Sequence, residues 1–197
     1  MLKNLFVKIL ALSFIFQFSF TLHTNDVKVN KKNSTVIWTG SKPTGSHTGN
    51  MNIKSGYLTY DHGQVVGGNF VIDMKSITCS DIKSEKKNQY LVDHLKDADF
   101  FNVAKFPEAS LTIIRVQKLK ENQFQMLADL TIKGITKPVS FTADLSVNGN
   151  SYNAIAKIII DRTKWGVEYK SGNIFKDLGD KIIYDDIEFD IFLVSEK

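Results

Sequence analysis

Beyond its first thirty residues the chain alternates apolar and polar positions with a period of two, the pattern of strands that bury one face. In "SFTADLSV", Phe141, Ala143, Leu145 and Val147 fall on one side and Ser140, Thr142, Asp144 and Ser146 on the other. "NQFQMLADLTIKG" sets Phe124, Met126, Ala128, Leu130 and Ile132 against Gln123, Gln125, Asp129, Thr131 and Lys133. "NFVIDMK" places Phe70, Ile72 and Met74 opposite Val71, Asp73 and Lys75, and "DDIEFDIFLVS" repeats the rule with Ile187, Phe189, Ile191 and Leu193. Eight strands follow, at about 34–40, 46–60, 64–77, 109–119, 122–133, 138–148, 151–163 and 185–195. "DHGQ", "KENQ" and "NGNS" supply Gly, Asn or Asp where a tight hairpin needs positive φ. "KGITKP" is a fourth such turn, with Pro138 opening the next strand, where its missing N–H costs little. Long strands joined by short hairpins make a meander, and eight can close into a mainly β, antiparallel barrel with no exposed edges.

Two stretches break this rhythm. In "CSDIKSEKKNQYLVDHLK", Leu91 and Leu95 lie four apart, as do Tyr90 and His94, and Ser84 suits an N-cap. A short amphipathic helix is expected there, between the third and fourth strands. It runs into "DADFFNVAKFP", where Asp97 can cap a turn carrying Phe100 and Phe101 and Pro107 holds Phe106 extended. The second break, Lys164–Asp186, is too long for a hairpin and is expected to be a mobile flap or rim loop.

Composition changes the picture mainly at the amino terminus. Lys3 and Lys8 precede an apolar run from Ile9 to about Leu22, shorter than the roughly 20 residues that span a bilayer. Residues 1–22 therefore read as a signal peptide, and the protein as exported, periplasmic or secreted, with its domain over 34–195. Without those two lysines, 23 basic residues face 21 acidic ones, so the net charge falls from +4 to about +2. The basic residues are scattered, and no nucleic-acid surface emerges. Cys79 is the single cysteine, which excludes an internal disulfide, a CxxC pair and a Cys-rich zinc site; it is expected to be buried and inert. The four histidines show no metal-ligand spacing, and there is no nucleophile elbow, P-loop or dinucleotide fingerprint. No cofactor and no metal are expected.

A closed eight-stranded barrel either fills its interior with side chains or keeps room for one small ligand. Periodicity leaves both options open. The inward candidates are Phe70, Ile72, Met74, Leu111, Ile113, Phe124, Met126, Leu130, Phe141 and Leu145. Leu91, Leu95, Phe100, Phe101 and Phe106 need apolar surface beneath them, and the mouth of a barrel provides it. Such an interior suits a long apolar chain, whose burial is driven by roughly 0.8 kcal/mol per methylene. His47, His94 and Arg162 are the candidates for a ligand head group, against structural hydrogen bonding or ion pairing as the alternative for each.

The ordered pieces "WTGSKPTGSHTGNMNIKSGYL", "GGNFVIDMKSI", "LVDHLKDADFFNVAKFPEASLTI", "LTIKGITKPVSF" and "IDRTKWGV" resemble the YceI-like family across about 34–195. That resemblance implies a lipocalin-like barrel binding a long-chain amphiphile such as a polyisoprenoid or a quinone tail. A non-catalytic carrier is then expected, with transient membrane contact and a homodimer as open options. The competing classes are an enzyme on such a lipid, using a histidine with Asp73 or Asp161, and a packed barrel that binds only a protein.

Overall fold

The computed structural model describes residues 24–148 and 151–196. Nine antiparallel strands run in chain order: β1 (Thr24–Lys28), β2 (Thr35–Lys42), β3 (Gly45–Asp61), β4 (Gln64–Asp73), β5 (Glu108–Lys120), β6 (Gln123–Ile132), β7 (Ile135–Asn148), β8 (Ser151–Asp161) and β9 (Asp186–Val194). One helix, α1 (Glu85–Lys96), lies between β4 and β5, where the sequence places it. The hydrogen-bonded order is β3–β2–β9–β8–β7–β6–β5–β4, and β4 pairs back onto β3, so eight strands form a closed barrel. β1, which the alternation does not predict, pairs with the second half of β3 beyond the end of β2. The fold thus begins about ten residues before Ser34. The predicted signal segment, 1–22, lies outside the described residues.

Local chemistry accounts for the hairpins. His62 and Gly63 both have positive φ between β3 and β4, as do Lys133 and Gly134 between β6 and β7, the conformation a two-residue turn needs to match strand twist. Pro138 does not open its strand; it is the fourth residue of β7, opposite Asp129. It is tolerated because β7 pairs with β8 only over Ala143–Asn148, leaving Pro138 no ladder partner on that side. The predicted strand 64–77 ends at Asp73, whose carboxylate accepts from the Lys75 N–H and caps a 3-10 turn. Asp161 ends β8 in the same way, accepting from Thr163.

The interior holds one apolar core running the length of the barrel. Two ends can be distinguished. The hairpin end carries the β3–β4 and β5–β6 turns, and the opposite end carries α1. There the connection after β4 lies flush against β3: Thr78 and Ser80 donate their N–H groups to the Asn50 and Thr48 carbonyls. Gly49 permits this approach, since a Cβ at that position would stand 1.8 Å from the Thr78 carbonyl oxygen.

Candidate binding cavity

A cavity of about 120 Å³ occupies the barrel interior. All 23 residues that line it are apolar. Ten of the predicted inward positions are among them: Phe70, Ile72, Met74, Phe101, Leu111, Ile113, Met126, Leu130, Phe141 and Leu145. The alternation also places Ile191, Leu193 and Ala143 here. The room itself comes from the small residues. Ala109, Ala143, Ala154 and Ala156 line the cavity, and Ala143 and Ala156 are direct partners across β7 and β8. Space is made by small side chains, and methionines 51, 74 and 126 give the wall adjustable shape.

The phenylalanines of the 93–107 stretch divide. Phe100 and Phe101 are buried and stack edge-on with centroids 5.4 Å apart. Phe101 reaches the main cavity, and with Phe100 and Leu95 it also lines a second cavity of about 40 Å³ beneath α1. Phe101 and Phe189 line both, so their rings partition the two spaces. Phe106, in contrast, faces away from the interior; it packs on the β6–β7 turn, where a Cβ on Gly134 would come within 2.9 Å of its ring. Pro107 directs the chain outward before β5 begins. Leu91 also lies outside both linings, because the helix buries Val92 and Leu95 and leaves Leu91 at the edge of that face. Phe124 is half-buried against the core without reaching the cavity, since it is the second residue of β6, at the hairpin end.

None of the three polar candidates lines the main cavity. The His47 Nδ1 lies 2.8 Å from Asp81, outside the barrel lumen at the α1 end. Burial by itself would raise the Asp81 carboxyl, but hydrogen bonds from the Thr48 N–H, His47 and the Cys79 thiol outweigh it and bring its pKa down to about 2. Burial, with Asp81 beside it, pushes the Cys79 thiol up, so this buried sulfur stays protonated and a poor nucleophile. The cluster clips the Cys79–Asp81 segment onto β3. His94 lies 3.1 Å from Asp99 and meets the Tyr169 ring edge-on at 4.5 Å, fixing α1 to the following turn and to the 164–186 segment.

Arg162 is an internal anchor. Only 1% exposed, it donates to the carbonyls of Val167, Ile183 and Tyr184 and to the Asp185 carboxylate, and its guanidinium lies 5.8 Å from the Phe100 ring. The long connection, expected to be a mobile flap or a rim loop, is therefore a rim segment tied down at its root. Val167 and Ser171 are fully buried, and the Ser171 hydroxyl donates to Asp185. The acid–base partners weighed for an enzyme do not assemble either: Asp73 and Asp161 cap 3-10 turns, while His47 and His94 face other carboxylates. Among the described residues no cluster of three His, Cys, Asp or Glu is placed to hold a metal ion.

Comparison with known proteins agrees with this architecture. The profile of the YceI-like domain matches residues 27–194. A UPF0312 protein of Yersinia enterocolitica is 30% identical over 137 residues, which cover 66% of this chain and 65% of that protein. The chain spans about half of a UPF0312 protein of Vibrio vulnificus, at 28% identity. Among solved structures, Burkholderia cenocepacia BcnA superposes with a TM-score of 0.69 at 20% identity, over 85% of this chain and 99% of its own. A polyisoprenoid-binding domain from Saccharophagus degradans, implicated in plant cell wall breakdown, superposes at 0.63 with 14% identity, over 89% and 99% of the two chains. At these identities the two structures speak to the fold, and the profile match extends the likeness through the whole barrel. This chain belongs to the YceI-like domain family.

Proposed function

We propose that the protein is a non-catalytic binder that holds the apolar tail of a long-chain amphiphile, of polyisoprenoid or quinone type, inside the barrel. The observation that carries this reading is the lining: a closed lumen with space in it and no polar side chain on its wall. An apolar wall gives a hydrocarbon chain a favourable transfer from water and offers a reacting group nothing to work with. The Saccharophagus relative in the same fold, described as polyisoprenoid-binding, supports the ligand class. The amino-terminal pattern supports export, so the cargo is met outside the cytoplasm.

Volume sets a condition on binding. A dry apolar cavity of about 150 Å³ takes a single benzene, so about 120 Å³ is room for at most one group of about that size. A longer tail requires the wall to move. Met51, Met74 and Met126 can change rotamer cheaply, and a turn of the Phe101 ring would join the second cavity to the first.

Native mass spectrometry of the exported protein, followed by solvent extraction, tests the reading. A discrete adduct with the mass of a prenyl lipid or quinone is expected. Bare protein that also shows no rise in melting temperature with added isoprenoids would overturn it.

A further inference from the structure

Among the described residues, two polar atoms in the core lack partners. The hydroxyls of Tyr60 and Tyr152 are fully enclosed and have no hydrogen-bonding partner among the described residues. The residues themselves are 8% and 2% exposed. Tyrosines at such depth nearly always find a partner, because an unpaired buried hydroxyl is unfavourable. Phenylalanine would pack equally well at either position, so the hydroxyls need another account.

Their place in the barrel supplies one. Leu58 on β3 and Ala154 on β8 line the main cavity. Two residues further toward the hairpin end, on the same inward faces, come Tyr60 and Tyr152. The two strands are not neighbours in the sheet, yet the rings approach across the lumen to 6.4 Å between centroids. Neither is among the residues that line the cavity; they form the next inward layer beyond Leu58 and Ala154, at the end remote from α1.

We infer that Tyr60 and Tyr152, one inward layer beyond the apolar lining of the cavity, form a polar subsite for a small neutral oxygen group, whether hydroxyl, carbonyl or amide, at the end of an apolar chain. The inference rests on the lipid-binding reading above and adds the direction of the ligand and the chemistry of its head. Each phenol can donate to such an oxygen or accept from it. Burial pushes both phenols up, Tyr60 to about 12, so they remain neutral donors at any physiological pH. A charged head is disfavoured: no lysine or arginine lines the cavity, and the nearby Glu196 carboxylate opposes a second negative charge. Arg162, the obvious rival, has its guanidinium occupied by three carbonyls, a carboxylate and the Phe100 face. The unmet hydrogen-bonding demand is at the tyrosine end.

The test compares two probes on the full exported chain: geranylgeraniol, and the C20 hydrocarbon that lacks its hydroxyl. Wild type is expected to favour the alcohol by roughly tenfold, the yield of two modest hydrogen bonds. Y60F/Y152F should lose that preference while its hydrocarbon affinity and melting temperature hold, and either single variant should lose about half of it on a logarithmic scale. A wild type indifferent to the hydroxyl, or a preference that survives in the double variant, would overturn the inference and leave the tail-binding reading intact. Failure of both probes to bind would remove both.

Discussion

At the scale of single residues, the outcome turns on how close two chains must come. Gly49 has an ordinary strand environment in sequence, yet the Thr78 carbonyl occupies the space its side chain would need. The Trp38 indole N–H donates to that same carbonyl at 2.9 Å, so the oxygen cannot retreat without losing a bond. G49A is therefore expected to destabilise the fold by about 3 kcal/mol, the upper range for overpacking, as read from the midpoint of chemical unfolding. A neutral G49A would show that the Cys79–Asp81 connection is free to lift from β3. The three head-group candidates illustrate the complementary lesson. Histidine and arginine are versatile enough in sequence to belong to a ligand site or a structural bond, and here all three are engaged by carboxylates or carbonyls.

At the scale of elements, the barrel wall is not uniform. β7 and β8 pair over Ala143–Asn148 and Ser151–Ala156 and then diverge. The 3-10 turn Arg162–Trp165 follows the divergence, and the Trp165 indole donates to the Leu130 carbonyl of β6 at 3.0 Å, while Lys133 donates to the Gly166 carbonyl. The segment 164–186 is thus pinned from both sides, by Trp165 to β6 and by Arg162 to its own returning half. Removing the arginine leaves Asp185 and several carbonyls buried without their donor. R162A is expected to cost roughly 3–5 kcal/mol and to render 164–186 the first site of limited proteolysis. Unchanged resistance to protease would mean that the segment is held by its apolar contacts alone.

At the scale of the whole molecule, the barrel has traded packing for capacity. Domains of this size fill their cores to crystal-like density, whereas here alanines face each other across β7 and β8 beside a cavity of about 120 Å³. Filling that space should separate stability from binding. A156L is expected to leave the melting temperature equal or raised, because the added methylenes enter existing space, and to abolish uptake of the prenyl probes. Binding that persists in A156L would place the ligand outside this lumen. Both ends are closed by aromatic side chains of different character: Phe100 and Phe101 beneath the helix, and Tyr60 and Tyr152 at the hairpin end. On the proposed reading, that difference between the ends would give an amphiphile a direction.

Alternation by itself determined eight of the nine strands and their inward faces, because side chains on a strand alternate with a period of two and a one-residue slip would invert every face; it allowed the closure of the barrel without fixing it. The strongest apolar positions, such as Phe70, Met126, Phe141 and Leu145, were legible for the same reason, and helical spacing marked α1. Tertiary structure alone decided where the space lies. A cavity depends on which small residues meet, both between paired strands and across the lumen, and the meeting of Ala109, Ala143, Ala154 and Ala156 is set by register and shear. It also decided that Phe106 turns outward, that Arg162 is buried among carbonyls, and that Tyr60 and Tyr152 meet across the lumen from strands ninety residues apart in the chain. Periodicity reports the face on which a residue lies; only the closed barrel brings one face against another.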